Sequence, residues 1–129
     1  MLFRLGQDRN DFWTIFGPTN VAIHAVSVDV ELGDAAAGLH KAPSVDLSRL
    51  PPELVERRVY HMIDVARGYA QQRNDAAAVL TLLEAERVAS EEVRYHVIVP
   101  ELLREMLKRE RRAATPGLRP LAARVGVLS

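Results

Sequence analysis

Residues 62–90, MIDVARGYAQQRNDAAAVLTLLEAERVAS, decide the fold. Val55, Val59, Met62, Ala66 and Tyr69 recur at steps of four, three, four and three, which is one stripe of an α-helix. The helix opens favourably at Pro51-Pro52-Glu53 and runs to about Gln72. Arg73-Asn74-Asp75 is a turn in which Asn74 or Asp75 caps the next helix. Ala78, Leu82 and Ala85 then line one side of a second helix, with Val79 and Leu83 beside them, to about Val88. Small residues at 66, 78 and 85 let two antiparallel helices approach closely, and large ones at 62, 69 and 82 fill the space around them.

This hairpin resembles a tetratricopeptide (TPR) repeat, whose pattern is W-x2-L-G-x2-Y followed by small, large and small residues and a break. Met62 takes the Trp place, Val65 the Leu place, Ala66 the Gly place and Tyr69 the Tyr place; Ser90 stands where the chain breaks. The best-matching repeat spans 59–92. An upstream copy is weaker: Gly33-Asp34 corresponds to Arg73-Asn74, but Asp29 stands in place of Tyr69 and the separation is 40 residues, not 34. Downstream, Pro100 falls where a small residue belongs.

Outward from the hairpin the pattern stays helical. Thr19 caps a helix over about 20–32 carrying Ala22, Ile23, Val26, Val28 and Val30, and a short second helix reaches about residue 41. Ahead of it, residues 1–18 crowd Phe3, Phe12, Trp13 and Phe16 before Gly17-Pro18, which reads as a buried loop closing the core. Residues 43–52 form a connection. Ser90 starts a helical stretch interrupted at Pro100, and Val99, Leu102, Leu103, Met106 and Leu107 form another stripe to about Arg112. After Thr115-Pro116-Gly117, a terminal helix over 117–126 carries Leu118, Leu121, Ala122 and Val125. No convincing period-two strand is present. The expectation is an all-α domain over 1–129, antiparallel helix pairs stacked as a short TPR-like α-solenoid.

At 129 residues, 48% of them hydrophobic, the chain has one domain's worth of core. It has no cysteine, which excludes disulfides, thiolate metal sites and a Cys nucleophile and fits a reducing, cytoplasmic setting. No apolar run is long enough for a membrane span. The charge balances only in sum. Residues 1–93 hold 9 Lys+Arg against 14 Asp+Glu, and residues 94–129 hold 8 against 3. The basic tail reads as a solvated helix end, without an aromatic residue after Tyr95 on which a base would stack.

The strings FGPTNVAIHAVSVDVELGD (16–34), SRLPPELVERRVYHMIDVARGYAQQRNDAAAVLTLLEAERVASEEVRYH (48–96) and LLREMLKRERRAATPGLRPLAARVGV (102–127) resemble the C-terminal TPR-like region of actinobacterial Xre (Cro/CI-type) helix-turn-helix regulators. The likeness covers most of the chain. In that family an N-terminal DNA-binding domain precedes a helical repeat region that senses a ligand or peptide, or dimerises. The resemblance therefore implies a recognition or dimerisation module lacking a DNA-binding domain of its own: an excised C-terminal domain, or a short reading frame carrying only that domain. Residues 121–127, LAARVGV, look like the first helix and turn of a helix-turn-helix, but no recognition helix follows before Ser129, and a capping helix is the simpler reading.

No catalytic set, metal site or cofactor motif emerges. His24, His40, His61 and His96 show no i, i+4 pairing; His61 and Asp64, three apart, read as a polar helix face rather than a cation site. There is no Gly-rich phosphate loop and no G-x-S-x-G. What remains is the inner face of the stack, where the first helices of successive pairs place Asn20, His24, Ser27 and Glu31 beside Tyr60, Asp64, Arg67 and Gln71. Arg67 suits a carboxylate or phosphate and Asn20 a peptide backbone, so this groove is the expected site for a peptide, protein or small-molecule ligand. The blander account pairs Asp64 with Arg67 on an exposed face. Phe3, Phe12, Trp13 and Phe16 are the expected homodimer contact, because a stack that begins mid-solenoid leaves its first helix uncovered. The rival functions are a pure dimerisation domain, an antagonist forming mixed dimers with a full-length regulator, and a small helical enzyme.

Overall fold

The computed structural model describes the backbone of residues 2–111 and 113–128, and the side chains of these from residue 17 onward. The described chain is all-α. Its helices are α1 (Leu2–Glu31), α2 (Ala35–Lys41), α3 (Val55–Gln71), α4 (Asp75–Val88), α5 (Ser90–Arg94), α6 (Ile98–Lys108) and α7 (Leu118–Val125), and no strand is present among the described residues. Three single 3₁₀ turns, at Ala42–Ser44, Leu47–Arg49 and Pro52–Leu54, make the connection between α2 and α3. Neighbours in sequence are neighbours in space: α1 packs on α2, α3 on α4 and α6 on α7, while α3 also touches α1, α2 and α6.

The first two hairpins turn identically. Gly33 and Arg73 both take the left-handed region, at φ +82° and +62°. Each is followed by a capping side chain, Asp34 and Asn74, that accepts a bond from the backbone N–H three residues on (Ala37 and Ala77, 3.3 Å each). The Asp34 N–H reaches the Asp29 carbonyl at 2.8 Å, and the Asn74 N–H reaches Tyr69 at 2.9 Å, the six-to-one bond of a Schellman turn. The 40-residue spacing seen in the sequence thus recurs in the geometry of the two turns.

The repeats are also stitched alike. The Val30 carbonyl near the end of α1 accepts a bond from Gln71 Nε2 of α3 at 3.1 Å. The equivalent Ala70 carbonyl in α3 accepts one from Arg109 Nη2, at the end of α6, also at 3.1 Å. Each first helix of a pair therefore satisfies a carbonyl near the frayed end of the one before it.

The small residues lie where the helices touch. Ala66, Ala78 and Ala85 are fully buried, with Leu82, Val59, Ile63, Leu103, Met106, Leu118 and Leu121 in the same core. Glycine does similar work, between hairpins at Gly68 and within the first hairpin at Gly38. A Cβ on Gly68 of α3 would meet the Leu39 side chain of α2 at 3.3 Å, and one on Gly38 would meet Val30 Cγ2 at 3.1 Å.

Two local expectations are corrected. Residues 1–18 do not form a loop: α1 begins at Leu2 and passes through Pro18. A proline ordinarily forces the residue before it out of the helical region through a clash with that residue's Cβ, but here that residue is Gly17, which has none. The side chains of Phe3, Phe12, Trp13 and Phe16 lie outside the described residues. In the second correction, the stretch after Ser90 is not interrupted at Pro100. It breaks earlier, at 95–97, and Pro100 occupies the first turn of α6, where its missing N–H has no helical partner to lose.

Candidate functional site

α1 and α3 lie side by side, bridged at two levels. At one end Arg57 Nη1 donates to Asn20 Oδ1 at 2.7 Å; at the other Arg67 Nη1 meets Glu31 Oε2 at 2.6 Å. Between the bridges is a cavity of about 300 Å³ lined by Asn20, Ile23, His24, Ser27, Arg57, Tyr60, His61 and Asp64. Five of the eight residues expected along the groove, Asn20, His24, Ser27, Tyr60 and Asp64, meet here. Arg67 and Gln71 line a separate cavity of about 410 Å³ at the helix ends, with Arg73, Glu101, Glu105 and Arg109, and Glu31 pairs with Arg67.

The Asp64–Arg67 pairing does not form, because Arg67 reaches across to Glu31. Asp64 is left without an ion pair among the described residues. Burial pushes its carboxyl above the usual carboxylate range, partly countered by a hydrogen bond with Ser27. Arg57 is likewise met by an amide and not by a carboxylate. The cavity is therefore lined by one group of each sign without a direct ion pair among the described residues, although the Arg67 charge still acts on Asp64.

Besides Ile23, two polar lining residues were not expected in the groove. Arg57 lies one turn before Tyr60 on the stripe that continues through Asp64 and Arg67, so extending that stripe toward the start of α3 finds it. The spacing reads His61 and Asp64 as a polar helix face rather than a cation site, but His61 is not on an exposed face. It is 4% exposed, and its Nδ1 is buried with no hydrogen-bond partner. Burial lowers its pKa. No signal in one sequence distinguishes such a histidine from a surface one. Tyr60, half-exposed at the cavity wall, is held edge-on to the His96 ring at 4.9 Å.

Among the described residues no group of three His, Cys, Asp or Glu side chains is placed to hold a metal ion. No described helix is long and apolar enough to cross a membrane. The basic tail is largely engaged within the fold. Arg109 pairs with Asp75, Arg119 with Glu110, Arg124 and Arg94 with Glu86, and Lys108 with Glu105. α7 buries Leu118, Leu121 and Ala122 in the core, so the face of the helix-turn-helix look-alike is already used. A scan of family models finds no match to the chain, and searches of curated proteins and of solved structures find none either.

Proposed function

We propose that the chain is a non-enzymatic TPR-like recognition and dimerisation module of an Xre-type transcriptional regulator, working in the cytoplasm and binding its ligand between α1 and α3. The observation that carries this reading is the cavity between α1 and α3, lined by Arg57 and Asp64, neither of which has an ion-pair partner among the described residues. A ligand carrying complementary charges gains charge-assisted contacts there. The paired state of the basic tail supports a module that does not itself read DNA.

Association is proposed through α1. Its residues Val21, Ala25, Val28 and Leu32 share one face, and the first, third and fourth are 54%, 40% and 78% exposed. Forty residues on, the equivalent face of α3 includes Val65 and Gly68 and is covered by Leu39 of the preceding hairpin. The α1 face is thus one that a neighbour covers wherever the repeat continues, and a second copy bringing Phe3, Phe12, Trp13 and Phe16 is the proposed neighbour. Sedimentation velocity at micromolar concentration tests it. A dimer that falls to monomer when Trp13 and Phe16 are replaced by Ser supports it; a monomer throughout overturns it. The groove is tested by melting the chain with a small-molecule extract of its native host. A rise seen in the parent and lost in Asp64→Asn is expected. An equal rise in both removes the groove as the site.

A further inference from the structure

We propose that a cavity between the second and third hairpins binds the phosphoryl group of a small phosphomonoester, held by Arg73 and Arg111. The cavity, of about 430 Å³, lies between the turn that starts α4 and the connection from α6 to α7. It shares no lining residue with the cavity between α1 and α3, so it goes beyond the reading above and is independent of it. Its charged lining residues are Arg73, Arg109, Arg111 and Asp75. Arg109 and Asp75 neutralise each other through two hydrogen bonds. Arg73 and Arg111 have no side-chain hydrogen bond or ion pair among the described residues, which leaves the cavity with two positive charges in excess.

Both backbones are fixed while both guanidiniums stay free. The Arg73 N–H donates to the Ala70 carbonyl at 3.0 Å inside the Schellman turn. The Arg111 carbonyl accepts from the Ala114 N–H at 2.8 Å, the Thr115 N–H at 3.1 Å and the Thr115 hydroxyl at 3.2 Å. Thr115 is itself buried and lines the cavity. Arg73 holds the left-handed conformation at φ +62°, where the preceding repeat has Gly33. That conformation disfavours any residue with a Cβ, and the Arg73 side chain makes no polar contact among the described residues that would offset it. Strain kept without a structural return points to function. The two excess charges match the phosphomonoester dianion, where a carboxylate would answer only one, and each guanidinium offers phosphate oxygens a planar pair of donors. The first turn of α4 also lines the cavity and adds the positive pole of a 14-residue helix. A volume of about 430 Å³ suits a small molecule.

The test is a nitrogen-15 NMR titration of the full chain, at about pH 7.5 where the monoester is a dianion, with methyl phosphate, dimethyl phosphate and sodium chloride at equal ionic strength. Methyl phosphate should give saturable shifts confined to residues 73–76 and 109–115. Dimethyl phosphate, a monoanion like the nucleic-acid backbone, should bind at least about fivefold more weakly. Arg73→Gly and Arg111→Gln should each lower the affinity for methyl phosphate at least about fivefold. Because Arg73→Gly relieves the left-handed strain, its melting temperature should not fall, which separates loss of the site from loss of the fold. Shifts that sodium chloride reproduces, or shifts that do not saturate, would overturn the proposal as charge screening. Equal binding of the two esters would overturn it in favour of a singly charged, diester-type ligand. An affinity unchanged in both variants would remove Arg73 and Arg111 as the site.

Discussion

Arg109, at the end of α6, grips both carboxylate oxygens of Asp75 at the start of α4, Nε to Oδ2 at 2.8 Å and Nη2 to Oδ1 at 2.9 Å. The same Nη2 reaches the Ala70 carbonyl. One side chain thus ties the third hairpin to both helices of the second. The pair is three-quarters or more buried, so water screens it less than the exposed ion pairs elsewhere on the chain.

Replacing Arg109 by Ala should therefore cost about 2 kcal/mol, because it leaves Asp75 and the Ala70 carbonyl without this partner. Arg109→Lys should recover less than half, since an ammonium cannot make the planar fork. Urea midpoints of the two variants check both statements; a parent-like midpoint for the Ala variant would show that the contact does not hold the hairpins together.

Arg73 is the only non-glycine residue at positive φ among those described, and the repeat places Gly33 at the same point of the earlier turn. Arg73→Gly should stabilise by about 1 kcal/mol, since glycine has no Cβ to clash in the left-handed region. A lower melting temperature in this variant would mean that the arginine side chain contributes more than its backbone conformation costs.

Ala66→Leu and Ala85→Leu each insert bulk where α3 and α4 touch, at fully buried positions. Each should lose about 1–3 kcal/mol by overpacking, read as a lower urea midpoint. Midpoints equal to the parent's would put the helix contact elsewhere.

Stability should fall as pH drops below about 6.5. Burial holds the pKa values of His61 and His96 beneath their ordinary 6.5. Below that value the unfolded chain takes up protons that the folded chain refuses, so the balance moves toward unfolding. His96 Nδ1 also accepts a bond from the Ile98 N–H, which protonation would break. Further down, protonation of Glu86, held low first by its hydrogen bonds from Arg124, removes a second contribution, starting near its ordinary 4.5 and continuing below it. Urea midpoints from pH 8 to 5 check the histidine part: His61→Gln should flatten the decline, and an unchanged slope would exclude His61 as its source.

The hairpin at the centre was legible because periodicity and small-residue spacing report local geometry directly. Ala66, Ala78 and Ala85 are at helix contacts for the reason their sequence spacing implies. The upstream repeat was half-legible: its turn chemistry, Gly33-Asp34 against Arg73-Asn74, survives while Asp29 replaces Tyr69. Proline misled twice, since its effect depends on the preceding residue at Pro18 and on distance from the helix start at Pro100. In the groove, Asn20 and Tyr60 follow from register, but the choice of Glu31 over Asp64 by Arg67 is made by the approach of two helices far apart in sequence.

Mass spectrometry under nondenaturing conditions tests the central claim most directly, because it weighs the assembly and anything retained in the groove together. The chain purified from its native host should appear at twice its 14.4 kDa, with an added small-molecule mass that Asp64→Asn loses. A bare 14.4 kDa monomer carrying no added mass would contradict the account of a dimeric, ligand-binding module.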